Sequence, residues 1–216
     1  MRLLVYNPNT TQAVTDRMVA QARRHASPST EIVGLSAPRG VPFINRPEQS
    51  RAAEAVTVEV VAGEWPGFDA IIVAAFSDPG LMPARAISKR PVLGIGESAM
   101  LSAAMMGPRF AAVSLSPAMR PLFDAAIGRL GLKDRLAELR FLDATVTDIA
   151  TVQADHGAAL EAACRDIAAR GEASSIILGG GPLAGLADSF RDRVAVPMLD
   201  GVACAVRHAE TLLRLR

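Results

Sequence analysis

The residues best suited to chemistry in this chain stand where short apolar runs give way to polar turns. Asn7-Pro8-Asn9-Thr10-Thr11 follows the apolar run 3–6 and opens a helical pattern. Thr10 or Thr11 is placed to cap that helix. Asn7 and Asn9 add two carboxamides, more donors than a cap uses, so Asn7, Asn9 and Thr10 are expected to reach a ligand. Ser77-Asp78-Pro79-Gly80 ends the run 70–76, and Gly179-Gly180-Gly181-Pro182 ends the run 175–178. Each turn presents backbone N–H groups at the start of a helix, which suits an anion or a carbonyl oxygen. The glycine turn has neither the G-x-G-x-x-G spacing nor the Gly-Lys-Ser/Thr of a phosphate loop. A carboxylate or a ring carbonyl is therefore expected against Ser77, Gly180, Gly181 and Pro182, rather than a dinucleotide or a triphosphate.

Ser114 and Ser116 close another strand, Glu97-Ser98 begin a helix, and Asp200 ends the last strand. Each fits a helix cap as well as it fits a ligand contact. His25 and His208 fall on charged helix faces and read as solvated, whereas His156, in Asp155-His156-Gly157, begins a long helix and is a further candidate for the site. No Cys/His/Asp cluster has the spacing of metal ligands, so no metal is expected. Cys164 and Cys204 lie far apart inside helical patterns and read as small core residues.

These turns need a frame that brings them together. Apolar runs at 3–6, 32–35, 70–76, 91–95, 110–115, 139–142, 175–178 and 196–199 read as strands, and they alternate with helical patterns such as 11–25, 47–62, 117–130 and 151–170. Strands that are apolar throughout, alternating with helices, predict an α/β fold with mostly parallel sheets flanked by helices. The chain also echoes itself. Ile71-Ile72-Val73-Ala74-Ala75, a Pro/Gly turn, a helix and Pro91-Val92-Leu93-Gly94 return 105 residues on (71 to 176) as Ile176-Ile177-Leu178-Gly179-Gly180, a turn, a helix and Pro197-Met198-Leu199-Asp200. Leu4-Val5-Tyr6-Asn7-Pro8 is matched more loosely by residues 112–117. Ligands of such sheets bind beyond the carboxyl ends of the strands, so both copies of the turn should face one cleft between two halves.

Composition narrows the partner. With 23 basic and 22 acidic residues, 4% aromatics and no basic cluster interleaved with aromatics, the chain lacks the footprint of a nucleic-acid binder. Hydrophobic residues reach 50%, but in runs far shorter than the ~20 that span a membrane. Arg2-Leu3-Leu4-Val5-Tyr6 reads as a first strand rather than a signal peptide, and the expected compartment is the cytoplasm.

The strings Asn7–Thr11, 68–81, Pro91-Val92-Leu93-Gly94-Ile95-Gly96-Glu97-Ser98-Ala99, Ile177-Leu178-Gly179-Gly180-Gly181 and Pro197-Met198-Leu199-Asp200-Gly201-Val202, in that order, resemble the aspartate/glutamate/hydantoin racemase superfamily, and its hydantoin and allantoin branch most. The resemblance implies two Rossmann-like lobes related by pseudo-twofold symmetry, with lobe boundaries expected at 1–97 plus 200–216 and at 98–199. It implies a homo-oligomeric, cofactor-independent enzyme that binds a small anionic or ureide ligand, with one thiol on each face of the substrate α-carbon. Here the chain departs from the pattern, because Ala75 and Gly180 stand at the two thiol positions. A replacement acid or base is expected among Asp78, Glu97, Asp200 and His156, Asp78 being nearest the vacant first position. The expected activity is a racemase or isomerase acting on a small carboxylate, amino acid or cyclic ureide without the two thiols. The rivals are a lyase or decarboxylase of a small carboxylate and a binding protein that turns nothing over.

Overall fold

The computed structural model describes residues 1–63, 67–144, 146 and 148–215. The chain runs through β1 (Arg2–Asn7), α1 (Gln12–His25), β2 (Glu31–Ser36), α2 (Pro47–Ala62), β3 (Ala70–Val73), α3 (Leu81–Ile87), β4 (Val92–Gly94) and α4 (Ile95–Met106). It then repeats the plan with β5 (Phe110–Ser114), α5 (Arg120–Arg129), β6 (Leu136–Phe141), α6 (Val152–Ala169), β7 (Ile176–Leu178), α7 (Leu186–Phe190), β8 (Met198–Asp200) and α8 (Gly201–Arg214). The strands form two parallel four-stranded sheets of the same order, β2-β1-β3-β4 and β6-β5-β7-β8. Their central strands are buried on both faces, which is why they are apolar without alternation.

Hydrogen bonding aligns the two halves residue by residue. Val73 pairs with Gly94 as Leu178 pairs with Asp200, and the Ala74 N–H donates to the Tyr6 carbonyl as the Gly179 N–H donates to that of Val113. Ala75 is thereby the counterpart of Gly180, and Asn7 that of Ser114. Each half also lends its last helix to the other. Ala99, Met100 and Ala103 of α4 pack with Phe110, Phe123 and Ile177 of the second half. Val202, Ala205, Val206 and Ala209 of α8 join Leu3, Val5 and Met18 of the first. The two exchanged helices touch closely enough that a Cβ on Gly201 would lie 2.7 Å from the Ile95 carbonyl oxygen.

A second seam between the halves is polar. Arg17, Gln21 and His25, one turn apart on α1, all reach into the second half: Arg17 to the carbonyls of Ile149, Ala150 and Pro182, and Gln21 and His25 to the Asp188 carboxylate, each at 2.8 Å. His25 is therefore not solvated, although its charged neighbours suggested that; it is an interlobe hydrogen-bond partner of Asp188. His208 is likewise half-buried, 3.2 Å from the Ser102 hydroxyl. The first-half strand expected at 70–76 stops at Val73, because the chain turns at Ala75, whose carbonyl accepts the Asp78 N–H, and Asp78 takes a left-handed φ of 48°. Ala74, Ala75 and Phe76 stay buried because they face a cavity and the core rather than a sheet. The helix expected over 117–130 begins as a 3-10 turn (Pro117–Met119) before α5.

Candidate functional site

Both strand-end turns line one cavity between the halves. Ala74, Ala75, Phe76 and Ser77 form one wall and Gly179, Gly180, Gly181 and Pro182 the other; Asn9 and Ser114 come from the ends of β1 and β5. Phe43, Ile44, Leu115 and Met119 complete it with apolar surface. The space open to the centre of a water-sized sphere is about 20 Å3, room for little more than one water. The loop carrying Phe43 and Ile44 closes part of this cavity. That loop is tied down by polar contacts: the Thr10 N–H donates to the Val41 carbonyl and the Thr11 hydroxyl to that of Pro42.

The two asparagines divide the work. Asn7 is fully buried, and its Nδ2 donates to Asn9 Oδ1 at 3.0 Å and to the Thr15 hydroxyl at 2.9 Å, while its Oδ1 accepts the Asn9 N–H. It organises the turn and does not line the cavity. Asn9 Oδ1 accepts from Asn7 and from the Thr11 N–H, which fixes its orientation. Its Nδ2 has no acceptor among the described residues, and Asn9 is part of the cavity wall. Thr10 is exposed and outside the wall, and Thr11, not Thr10, holds the N-cap position of α1, with its hydroxyl on the covering loop instead of the helix.

Ser114 Oγ donates to the Gly179 carbonyl at 2.6 Å, joining the ends of β5 and β7, and Ser77 shares a 3.0 Å hydrogen bond with Ser50. Ser116 caps the 3-10 turn by accepting the Ala118 N–H, outside the cavity.

The structure places the candidate acids elsewhere. Asp78 Oδ1 accepts the Gly96 N–H at 2.9 Å and Oδ2 the Glu97 N–H at 2.6 Å, so the carboxylate closes the start of α4. Burial pushes its pKa up to about 7, against the two N–H donors and the Arg129 guanidinium 3.8 Å away, which lower it. Asp200 caps α8, Oδ1 accepting the N–H groups of Val202 and Ala203 and Oδ2 that of Gly185; burial raises its pKa against these donors. Glu97 is ion-paired with Arg85 at 3.2 Å in a wider, outward-facing groove of about 750 Å3 along β4, α4 and α8. His156 lies on α6 and is not part of the wall. No ionisable side chain lines the interlobe cavity among the described residues, and these residues contain no cluster suited to a metal.

Sequence reasoning missed the apolar part of the wall: Phe43, Ile44, Phe76, Leu115 and Met119. The available signal was Val41-Pro42-Phe43-Ile44, four apolar residues inside a Pro/Gly loop, where solvent contact alone does not account for them.

Both cysteines are core residues. Cys164 has no exposed surface and burial pushes its thiol up to about 12; Cys204 is 8% exposed, its pKa also raised by burial. Neither lines the cavity. Folded protein is expected to take up no iodoacetamide at pH 8 while urea-unfolded protein takes up two labels, read by intact mass. Labelling of folded Cys204 that a ligand prevents would put a thiol back in the site.

Comparison with known proteins agrees with this architecture. The model of the Asp/Glu/Hydantoin racemase family matches residues 3–209. A hydantoin racemase of Pseudomonas sp. (strain NS671) is 32% identical over 219 aligned residues, covering 100% of this chain and 87% of the relative. The structure of an allantoin racemase from Klebsiella pneumoniae superposes with a TM-score of 0.93 at 32% identity, covering 100% of this chain and 88% of that one. An arylmalonate decarboxylase, at a TM-score of 0.70 and 14% identity, shares the fold alone. With matching turns at matching strand ends and a family match over nearly its whole length, this chain belongs to the Asp/Glu/hydantoin racemase family.

Proposed function

We propose that the cleft binds a small, uncharged cyclic ureide, and that any racemase or isomerase chemistry on it proceeds without thiols. The polar complement of the cavity carries this reading: a free carboxamide N–H2 on Asn9, the hydroxyls of Ser77 and Ser114, and the backbone of two turns, with no charged side chain lining it among the described residues. A ring of alternating N–H and C=O groups pairs with such neutral partners. A carboxylate would enter a closed apolar site without a counter-charge, a cost of several kcal/mol. The relatives named for hydantoin and allantoin, both cyclic ureides, support the same class. Family membership supports racemase or isomerase activity in general. Cavity-lining Ala75 and Gly180, at the positions the resemblance assigns to the thiols, and the burial of Cys164 and Cys204 outside the cavity support a route without paired thiols. Asp78 and Asp200 hold helix ends outside the cavity, which speaks against either as the substitute acid.

Calorimetric titration with hydantoin, 5-substituted hydantoins, allantoin, aspartate and malonate tests the ligand class. Ureides are expected to saturate the protein and the carboxylates not to; the reverse order would overturn the reading. Any exchange of the ring 5-proton in deuterated water is expected to survive Cys164→Ser combined with Cys204→Ser, and its loss would return the chemistry to thiols. Asn9→Ala is expected to weaken ureide binding by about 1–3 kcal/mol, the range for a lost buried polar partner. An unchanged affinity would remove Asn9 from the site.

A further inference from the structure

The glycine turn that forms the second wall of the cavity is hydrogen-bonded from the opposite half through the side chain of Arg17. Arg17, in the middle of α1, donates through Nη1 to the Pro182 carbonyl at 2.9 Å and to that of Ile149 at 3.4 Å, and through Nη2 to the Ala150 carbonyl at 2.8 Å. Gln153, at the start of α6, donates to the same Pro182 oxygen at 2.9 Å and to the Ala184 carbonyl at 3.0 Å. Pro182 O is thus gripped once from each half. Within the turn, two short-range bonds run from the Leu183 N–H to Gly180 and from the Ala184 N–H to Gly181, and Ser114 holds the Gly179 carbonyl at its start. The α1 residues on either side of Arg17 also seat the turn: a Cβ on Gly181 would lie 3.0 Å from Met18 Sδ and 3.7 Å from Val14 Cγ1.

Arg17 makes no ion pair among the described residues; three main-chain carbonyls answer its charge. Placing a guanidinium at a seam without a carboxylate costs desolvation, and burial lowers its pKa accordingly. What this geometry gains is a fork that ties two segments of the second half, 149–150 and 180–182, to one helix of the first at fixed spacing. Gln21 and His25, one and two turns further along α1, tie the same halves through Asp188 and touch no cavity residue. The same helix face therefore carries one tie to the cavity wall and two that serve the seam alone.

We propose that Arg17 is a positioning residue for the ligand site: it fixes the Gly180–Pro182 wall at its working distance from the Ala75 wall, across the two halves. This rests on the ureide-binding reading of the cleft. Arg17→Ala is expected to raise the Kd for hydantoin by about 10-fold or more, roughly 1.4 kcal/mol. Guanidinium at millimolar concentration is expected to recover part of that affinity in Arg17→Ala and none in wild type. Gln21→Ala is expected to lower Tm at least as much while leaving Kd within about 3-fold, because it breaks the seam without touching the wall. An unchanged Kd in Arg17→Ala, an equal rise in Gln21→Ala, or no recovery by guanidinium would each overturn the assignment. If wild type binds no ureide, the ligand reading fails by itself, and Arg17 is then judged by amide exchange. The Leu183 and Ala184 amides are expected to exchange at least about 10-fold faster in Arg17→Ala and at the wild-type rate in Gln21→Ala; equal protection in all three proteins would overturn it.

Discussion

Protein carrying Ala75→Cys together with Gly180→Cys is expected to exchange the 5-proton of an enantiopure hydantoin at least about 10²-fold faster than wild type, the low end of what positioned acid–base groups contribute. The two positions are counterparts in the sheet registers and line opposite walls of one cavity, so a carbon held between them is reached from both faces. Racemisation needs both faces: one thiolate removes the proton while the other thiol supplies one. Each single variant is therefore expected to fall well short of the pair, which makes the effect non-additive. The second half of the design is the harder one. Gly180 has φ 141°, which L residues rarely adopt, although a Cβ there meets nothing closer than 3.7 Å. A Cys at 180 should cost about 1 kcal/mol or more in stability through backbone strain rather than through clash. Circular dichroism of the hydantoin reads the outcome. A folded double variant that binds the ureide and exchanges no faster than wild type would show that the walls do not flank the reacting carbon.

Asp78→Ala is expected to lower stability by about 3 kcal/mol, because two buried N–H groups at the start of α4 lose their acceptor and a left-handed position loses a residue that tolerates it. For a chain of this length that is a Tm drop of about 6–12 °C. The joint is built around this side chain: a Cβ on Gly94 would fall 2.2 Å from Asp78 Oδ1, so the strand end before α4 is glycine to admit it. In the second half the same joint is closed from the other side. Asp200 stands at the strand end, caps α8 and reaches back to the Gly185 N–H in the turn after β7. The folded Asp78 carboxyl, at about 7, binds its proton more tightly than an unfolded one at about 4. Its contribution is therefore greatest in acid and is lost as pH rises from about 4 to about 7, and the gap between wild type and Asp78→Ala should narrow over that window. Unchanged Tm with abolished turnover would make Asp78 a catalytic acid after all.

Much of the architecture was legible because it rests on local pattern. Uninterrupted apolar runs such as Ile71-Ile72-Val73 and Ile176-Ile177-Leu178 can only be central parallel strands, and their repetition gave the two sheets. The cavity walls were legible for the same reason, since each follows such a strand. What composition hides is direction. Asn7 and Asn9 are chemically identical two residues apart, yet one spends its amide inside the turn and the other presents it to the cavity. Asp78 lies three residues from Ala75, but the left-handed φ at 78 turns its carboxylate onto α4. Ladders across the seam, such as Arg17-Gln21-His25, have helical spacing in sequence but acquire meaning only once a partner 160 residues away is known to lie beside them.

The exchanged helices make each half depend on the other. A half-length chain built on this plan would leave its sheet uncovered where α8 now lies over β1 and β3, and would hold out α4 with no sheet to cover. Such a unit is complete only when two copies trade their last helices. Each half is therefore structurally incomplete without the other, and the cleft sits where two like units meet. Asn7 against Ser114, and a turn that admits a side chain at 75 against one that resists it at 180, mark where the two halves part from symmetry.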